Sequence, residues 1–180
     1  MANDYTTTTD AFADIMEGSY ATTDTLAVNA MTGFITAASR LIDLECGRWA
    51  GFFYPSTADE TRYYDGTGLQ EQWIDEFVSI TTVSVSEDGG VASSDYTAWG
   101  STDYITHPYN ATLLAKPITK LEVDVLNGSK SHWHPYRKSV QVIGIPGYSA
   151  AILDVVAMAT RMQCIRYFMR AKQGYQDSGA

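Results

Sequence analysis

His132-Trp133-His134 places two imidazoles two residues apart, the closest pairing of metal-binding nitrogens in the chain. A metal centre needs three or four ligands, and no Cys or carboxylate lies close by in sequence. The segment is therefore expected to be a loop tip facing solvent or a partner. His107-Pro108-Tyr109 reads as a turn. Asp65 opens an acidic stretch with Glu71, Asp75 and Glu76, but a calcium loop needs an oxygen ligand at its fifth position and Gly at its sixth. Leu69 and Gln70 stand there. The pairs Asp75/Glu76 and Glu122/Asp124 supply carboxylates, yet glycoside hydrolysis needs two acids facing each other across a cleft. Strand alternation instead puts Glu122 and Asp124 on one solvated face. No nucleophile elbow, phosphate loop or dinucleotide fingerprint is present, and Pro146 interrupts the glycine pair at Gly144 and Gly147. The expectation is a chain that is not an enzyme and has no cofactor or metal. Cys46 and Cys164 fall in helical patterns and read as two buried, reduced thiols.

A second kind of chemistry is stacking. Trp73, Trp99, Trp133, Tyr96, Tyr104 and Tyr136 are spread through the middle of the chain. They suit a protein interface, where Tyr and Trp are enriched, or a platform for sugar rings.

The elements that must carry these residues follow from periodicity. Residues 1–9 are polar and Thr-rich, expected as a flexible arm. Asp10 is placed to cap a short helix through about Glu17, ended by Gly18, and Thr22, Thr23 or Asp24 to cap a long one. Val28, Met31, Phe34, Ile35, Ala38, Leu41, Ile42 and Cys46 recur at helical spacing, and Gly47 fits the left-handed residue that ends such a helix. From 57 to 147 the pattern changes to alternating strands and turn clusters. Ser149 can cap a last helix at about 150–171. Ile152, Val155, Val156, Ala159 and Met162 cover one face of it, and Leu153, Ala157, Ile165 and Phe168 much of the rest. The fold expected is α+β: a helical core, made of the long N-terminal-half helix and the C-terminal helix, with an inserted antiparallel β subdomain. As one domain it divides into the arm 1–9, a helical stretch 10–54, the β-rich insertion 57–147, the helix 149–172 and a tail 173–180.

The chain has 180 residues, 45% hydrophobic and 18% charged, enough apolar content to bury a core without staples. Its net charge of −9 argues against gripping a nucleic-acid backbone, though an acidic passage would let DNA slide through. Charge is uneven. Residues 1–47 hold seven acids and one base, whereas Arg161, Arg166, Arg170 and Lys172 face only Asp154 in 150–172. No basic-then-apolar leader opens the chain and no run approaches the about 18 apolar residues of a membrane span, so a soluble, cytoplasmically made protein is expected.

Three runs in fixed order carry a resemblance. The first is Ser39, Arg40, Ile42, Asp43, Cys46, Gly47 and Arg48; the second is Arg62, Tyr63, Tyr64, Asp65 and Gly66; the third is Gly147 and Tyr148 before the last helix. Over about residues 34–165 the chain resembles the head–tail connector (adaptor) proteins of long-tailed bacteriophages. Those proteins commonly carry Pro where Ala151 or Ile152 stands here, and the loop 86–115 is longer and more aromatic than theirs. The resemblance implies a helical core with a β insertion and a homo-oligomeric ring of twelve copies docked on the portal protein in the virion neck. The ring would continue the DNA channel without binding DNA specifically and would receive a head-closure or tail protein. It implies portal binding through the C-terminal segment, here Arg166, Tyr167, Phe168, Arg170 and Lys172. Trp73, Trp99, Trp133 and Tyr136 are expected at subunit or tail-side interfaces. The alternatives are a head-closure or tail-completion ring protein and, from another class, a small carbohydrate-binding module.

Overall fold

The computed structural model describes residues 3–15, 24–55, 57–90 and 92–177. Glu17, Gly18, Thr22 and Thr23, named above as parts or ends of helices, lie outside these residues, as do the last three of the expected tail. The chain forms two compact units, one from Met1–Tyr54 with Ala151–Ala180 and one from Pro55–Ala150.

In the first unit, α1 spans Thr8–Ala13, α2 spans Thr25–Glu45 and α3 spans Asp154–Asp177. Thr7, not Asp10, caps α1: its hydroxyl accepts the Asp10 amide at 3.1 Å. Asp24 caps α2 by accepting from the Leu26 and Ala27 amides. Gly47, at φ 64°, turns the chain away through the left-handed region, where glycine meets no Cβ penalty. The last helix starts four residues later than its pattern suggested. Its hydrogen bonds begin at the Leu153 carbonyl, and Asp154 lies in the first turn at the positive end of the dipole. The helix then runs on through Asp177. Val156, Thr160, Cys164 and Phe168 are its buried stripe at four-residue spacing, while Met31, Ile35 and Ala38 are the buried stripe of α2. Ala11, Phe12 and Ile15 complete this core, with Phe12 edge-on to Phe168 at 5.8 Å. Of the two thiols, Cys164 is buried but Cys46, the C-cap of α2, is exposed.

The expected arm is anchored from Asn3 onward, because a buried carboxylate gathers it in. Asp43 is 2% exposed. It accepts hydrogen bonds from the Tyr5 hydroxyl and the Gly51 amide, the latter at 3.0 Å, and its carboxylate lies 3.1 Å from Arg40 Nε. The Tyr5 amide donates to Ser39 Oγ, its hydroxyl accepts from the Phe53 amide, and Arg40 Nη2 donates to the Asn3 carbonyl. Burial, and then the hydrogen bond to Asp43, push the Tyr5 phenol far above its ordinary pKa.

The second unit overturns the expected architecture. The main body is a mostly antiparallel six-stranded sheet rather than a helical core with an inserted β subdomain, and helices hold 31% of the described residues. Its strands are β1 (Glu60–Tyr64), β2 (Glu71–Val85), β3 (Thr97–Ala98), β4 (Tyr104–His107), β5 (Ile118–Val123) and β6 (Val140–Pro146). The spatial order is β1-β6-β2-β5-β4, with β3 paired to β2. The physical reason lies in where large apolar side chains go. Phe77, Val83, Val85, Trp99, Leu121, Trp133, Val140 and Val142 form a core of the sheet's own, and each contributes roughly 1.5–3 kcal/mol by leaving water. Trp99 and Trp133 stack in it at 4.4 Å with rings 16° from parallel, and the Trp133 indole donates to the Gln70 carbonyl at 3.0 Å. Gly144 on β6 lies against β2 so closely that a Cβ there would come within 2.2 Å of the Ser79 carbonyl oxygen.

Replacing Asp43 with Ala leaves the Tyr5 hydroxyl and the Gly51 amide without their buried acceptor and Arg40 without its counter-ion. The variant is expected to lose about 3 kcal/mol, read as an earlier loss of the helical circular-dichroism signal in urea. An unchanged midpoint would show that the carboxylate is not the anchor.

Candidate functional site

A hollow of about 470 Å³ opens on the sheet unit. Its sequence origin is a break in strand alternation. The register of β2 against β5 shifts between Trp73, which pairs with Lys120, and Phe77, which pairs with Ile118. A regular strand would put Trp73 and Phe77 on one face. Here Phe77 is fully buried and Trp73 is 64% exposed. A bulge re-aims a side chain in this way.

Around the indole, β4 and β5 supply polar groups. Lys120 Nζ lies 5.8 Å from the centre of the Trp73 ring and 2.7 Å from Glu71 Oε1, with Glu122 Oε2 at 3.7 Å. The hydrogen bond that Lys120 donates to Glu71 raises the Lys120 pKa above its ordinary value, outweighing desolvation, so the amine stays charged. His107 Nε2 is 2.8 Å from Glu122 Oε2, a close electrostatic contact without hydrogen-bond alignment. The His107 ring also packs on Tyr109 at 4.2 Å. Pro108, Pro117 and Tyr148 form apolar parts of the wall, and Lys116 and Thr119 complete the rim.

The loops beyond this sheet edge are fixed by a second carboxylate. Asp103, 8% exposed, accepts from the Gly100 amide and from both the amide and hydroxyl of Ser129, at 2.8, 2.8 and 3.1 Å. The Ser129 and Gly100 amides hold its pKa below the usual carboxylate range.

The four aromatics expected at interfaces divide. Trp99 and Trp133 are core residues, 8% and 0% exposed, and offer a neighbour almost nothing. Trp73 and Tyr136 are exposed at 64% and 48%. The expected portal-binding residues divide similarly. Arg166 and Arg170 are exposed, but Phe168 packs on Phe12 and Tyr167 on Phe34, both within the first unit, and Lys172 is half-buried. The face of α3 opposite its buried stripe carries Val155, Met158 and Met162, exposed at 70%, 55% and 63%, and continues into Arg166 and Arg170.

The two imidazoles at His132 and His134 lie 5.4 Å apart, and among the described residues no group of three metal-binding side chains occurs. Three acids of the Asp65–Glu76 stretch are committed to structural partners. Asp65 accepts the Lys138 amide, Glu71 holds Lys120 and Asp75 holds Arg62 at 2.8 Å. His107, Lys116, Lys120 and Glu122 were not read as one site from sequence. Their juxtaposition depends on the β4–β5 register, His107 opposite Lys120 and Ile105 opposite Glu122. Among the described residues no helix is long and apolar enough to cross a membrane. No family model, curated protein or solved structure matches the chain.

Asp103 has a depressed folded pKa, so its contribution to stability is present above the unfolded value of 3.8 and is lost as pH falls through the folded one. Asp103→Asn is expected to cost about 2 kcal/mol at pH 7. That difference should shrink steadily in urea denaturation series carried below pH 3.8. A gap that stays constant with pH would mean that the charge plays no part.

Proposed function

We propose that this chain is a structural subunit of a bacteriophage neck: a head–tail connector that assembles as a ring, docks on the portal protein and continues the DNA channel toward the tail. The observation that carries the reading is the exposed face of α3. Val155, Met158 and Met162 stand in water at three- to four-residue spacing, and the same face ends in Arg166 and Arg170. It runs roughly 22 Å from Val155 to Arg170 at 1.5 Å per residue. Three large apolar side chains in one exposed row mark an interaction surface, and the two guanidiniums add charge-assisted contacts suited to an acidic partner.

The residues of the family pattern support the same reading by what they do. Ser39, Arg40 and Asp43 hold the first segment and the loop after α2 together. Arg62 and Tyr64 both bond Asp75, Asp65 ties down the Lys138 amide, and Gly66 lies where a Cβ would strike the His134 carbonyl. Portal contact belongs to Val155, Met158, Met162, Arg166 and Arg170, while Tyr167 and Phe168 brace the helix from behind. Trp73 and Tyr136 remain available to a neighbouring subunit or a tail-side ring.

Mixed with its cognate portal and imaged in negative stain, the protein is expected to add a second ring to the portal. A double variant, Arg166→Glu with Met162→Asp, should abolish the added ring while leaving circular dichroism unchanged, since both positions are exposed. If the wild-type protein leaves the portal bare and stacks instead on tail-side components, it is a head-closure or tail-completion ring. If neither assembly gains a ring, the neck reading fails.

A further inference from the structure

We infer that the hollow beside Trp73 is a binding site for a neutral pyranose sugar. Three observations converge on that ligand class.

The first is the platform. Trp73 presents 64% of its surface to solvent although its strand runs through the middle of the sheet. An exposed indole is a flat apolar surface on which the axial C–H groups of a sugar ring can stack. Pro108, Pro117 and Tyr148 extend the apolar wall.

The second is the polar rim. A sugar offers neighbouring hydroxyls that both donate and accept, so its site needs donors and acceptors side by side. The Lys120–Glu71 pair, 2.7 Å apart, supplies one of each at the edge of the indole. Glu122 stands between Lys120 and His107. Charged groups bonding neutral hydroxyls make stronger hydrogen bonds than neutral pairs do.

The third is charge balance. Lys120, the cation nearest the indole, is already neutralised by two carboxylates, Glu71 at 2.7 Å and Glu122 at 3.7 Å, which leaves it little free charge to hold an anion. A wholly apolar ligand would strip water from this rim without replacing its hydrogen bonds. A neutral, hydroxyl-bearing ring satisfies both parts. The volume of about 470 Å³ falls within the size range of small-molecule sites.

This inference is independent of the portal reading, since it rests on the sheet unit alone. The experiment uses the full chain in saturation-transfer difference NMR and in proton–nitrogen spectra of the indole N–H groups. The probes are methyl α-D-glucopyranoside, methyl β-D-galactopyranoside and N,N′-diacetylchitobiose. At least one should receive saturation at its ring protons and shift the indole signal that disappears in Trp73→Ala. Trp73→Ala should weaken that sugar about tenfold or more. Lys120→Met, which keeps the stem and removes the donor, should weaken it without moving the other indole signals. The proposal is overturned if none of the three probes shifts the Trp73 signal. It is also overturned if binding survives Trp73→Ala, or if only inorganic phosphate or a proline-rich peptide shifts that signal.

Discussion

The sheet unit depends on one strand being paired along both edges. β2 runs from Glu71 to Val85, with β6 on one side and β5 and β3 on the other. Every strand of the sheet is therefore either β2, its neighbour, or one strand removed from it. A central strand of this length in a twisted sheet does not keep one register throughout, and shifts occur against both β5 and β6. Those irregularities let the same strand send Phe77 and Val83 into the core and Trp73 out into solvent. The exposed indole is a product of the way the sheet accommodates its longest member.

The first unit rests on a different principle. Its helices are joined by apolar stripes, but its first segment and the loop after α2 are fastened by a single buried carboxylate. Asp43 is satisfied by a phenol, an amide and a guanidinium that come from three separate stretches of chain. Such a group is tolerated inside only when its partners are all in place. Its position near the end of α2 makes that helix the reference to which both flanking segments are fitted.

Much of the secondary structure was legible because periodicity is a strong signal. The buried stripe Met31, Ile35, Ala38 on α2 and the strand pattern at 118–123 follow directly from it. What escaped was set by tertiary contact. Polar composition made residues 1–9 look free, yet Tyr5 is fully buried because a carboxylate 38 positions away receives its hydroxyl. Trp99 and Trp133 look like Trp73 in sequence, and only their mutual stacking separates core from surface. The weight of the architecture was misjudged for a related reason. Helix patterns are conspicuous, whereas short alternating strands broken by loops conceal how large a core they build together. For the hollow, exposed aromatics were visible, but the grouping of His107, Lys120 and Glu122 required the register between β4 and β5. The face of α3 was partly legible: its apolar surplus showed, but not which of its aromatic residues would turn inward.

The route of the chain has a consequence for the order in which the molecule forms. The first unit is assembled from both ends, with Phe12 and Met31 sharing a core with Cys164 and Phe168, while residues 55–150 close on themselves. A ribosome delivers the complete sheet before it delivers α3. The apolar side of α2 then waits through the synthesis of about a hundred residues for its partner, so the part of the chain made first is completed last. Closing that long gap costs little more entropy than closing a short one would, since the penalty rises only with the logarithm of the intervening length.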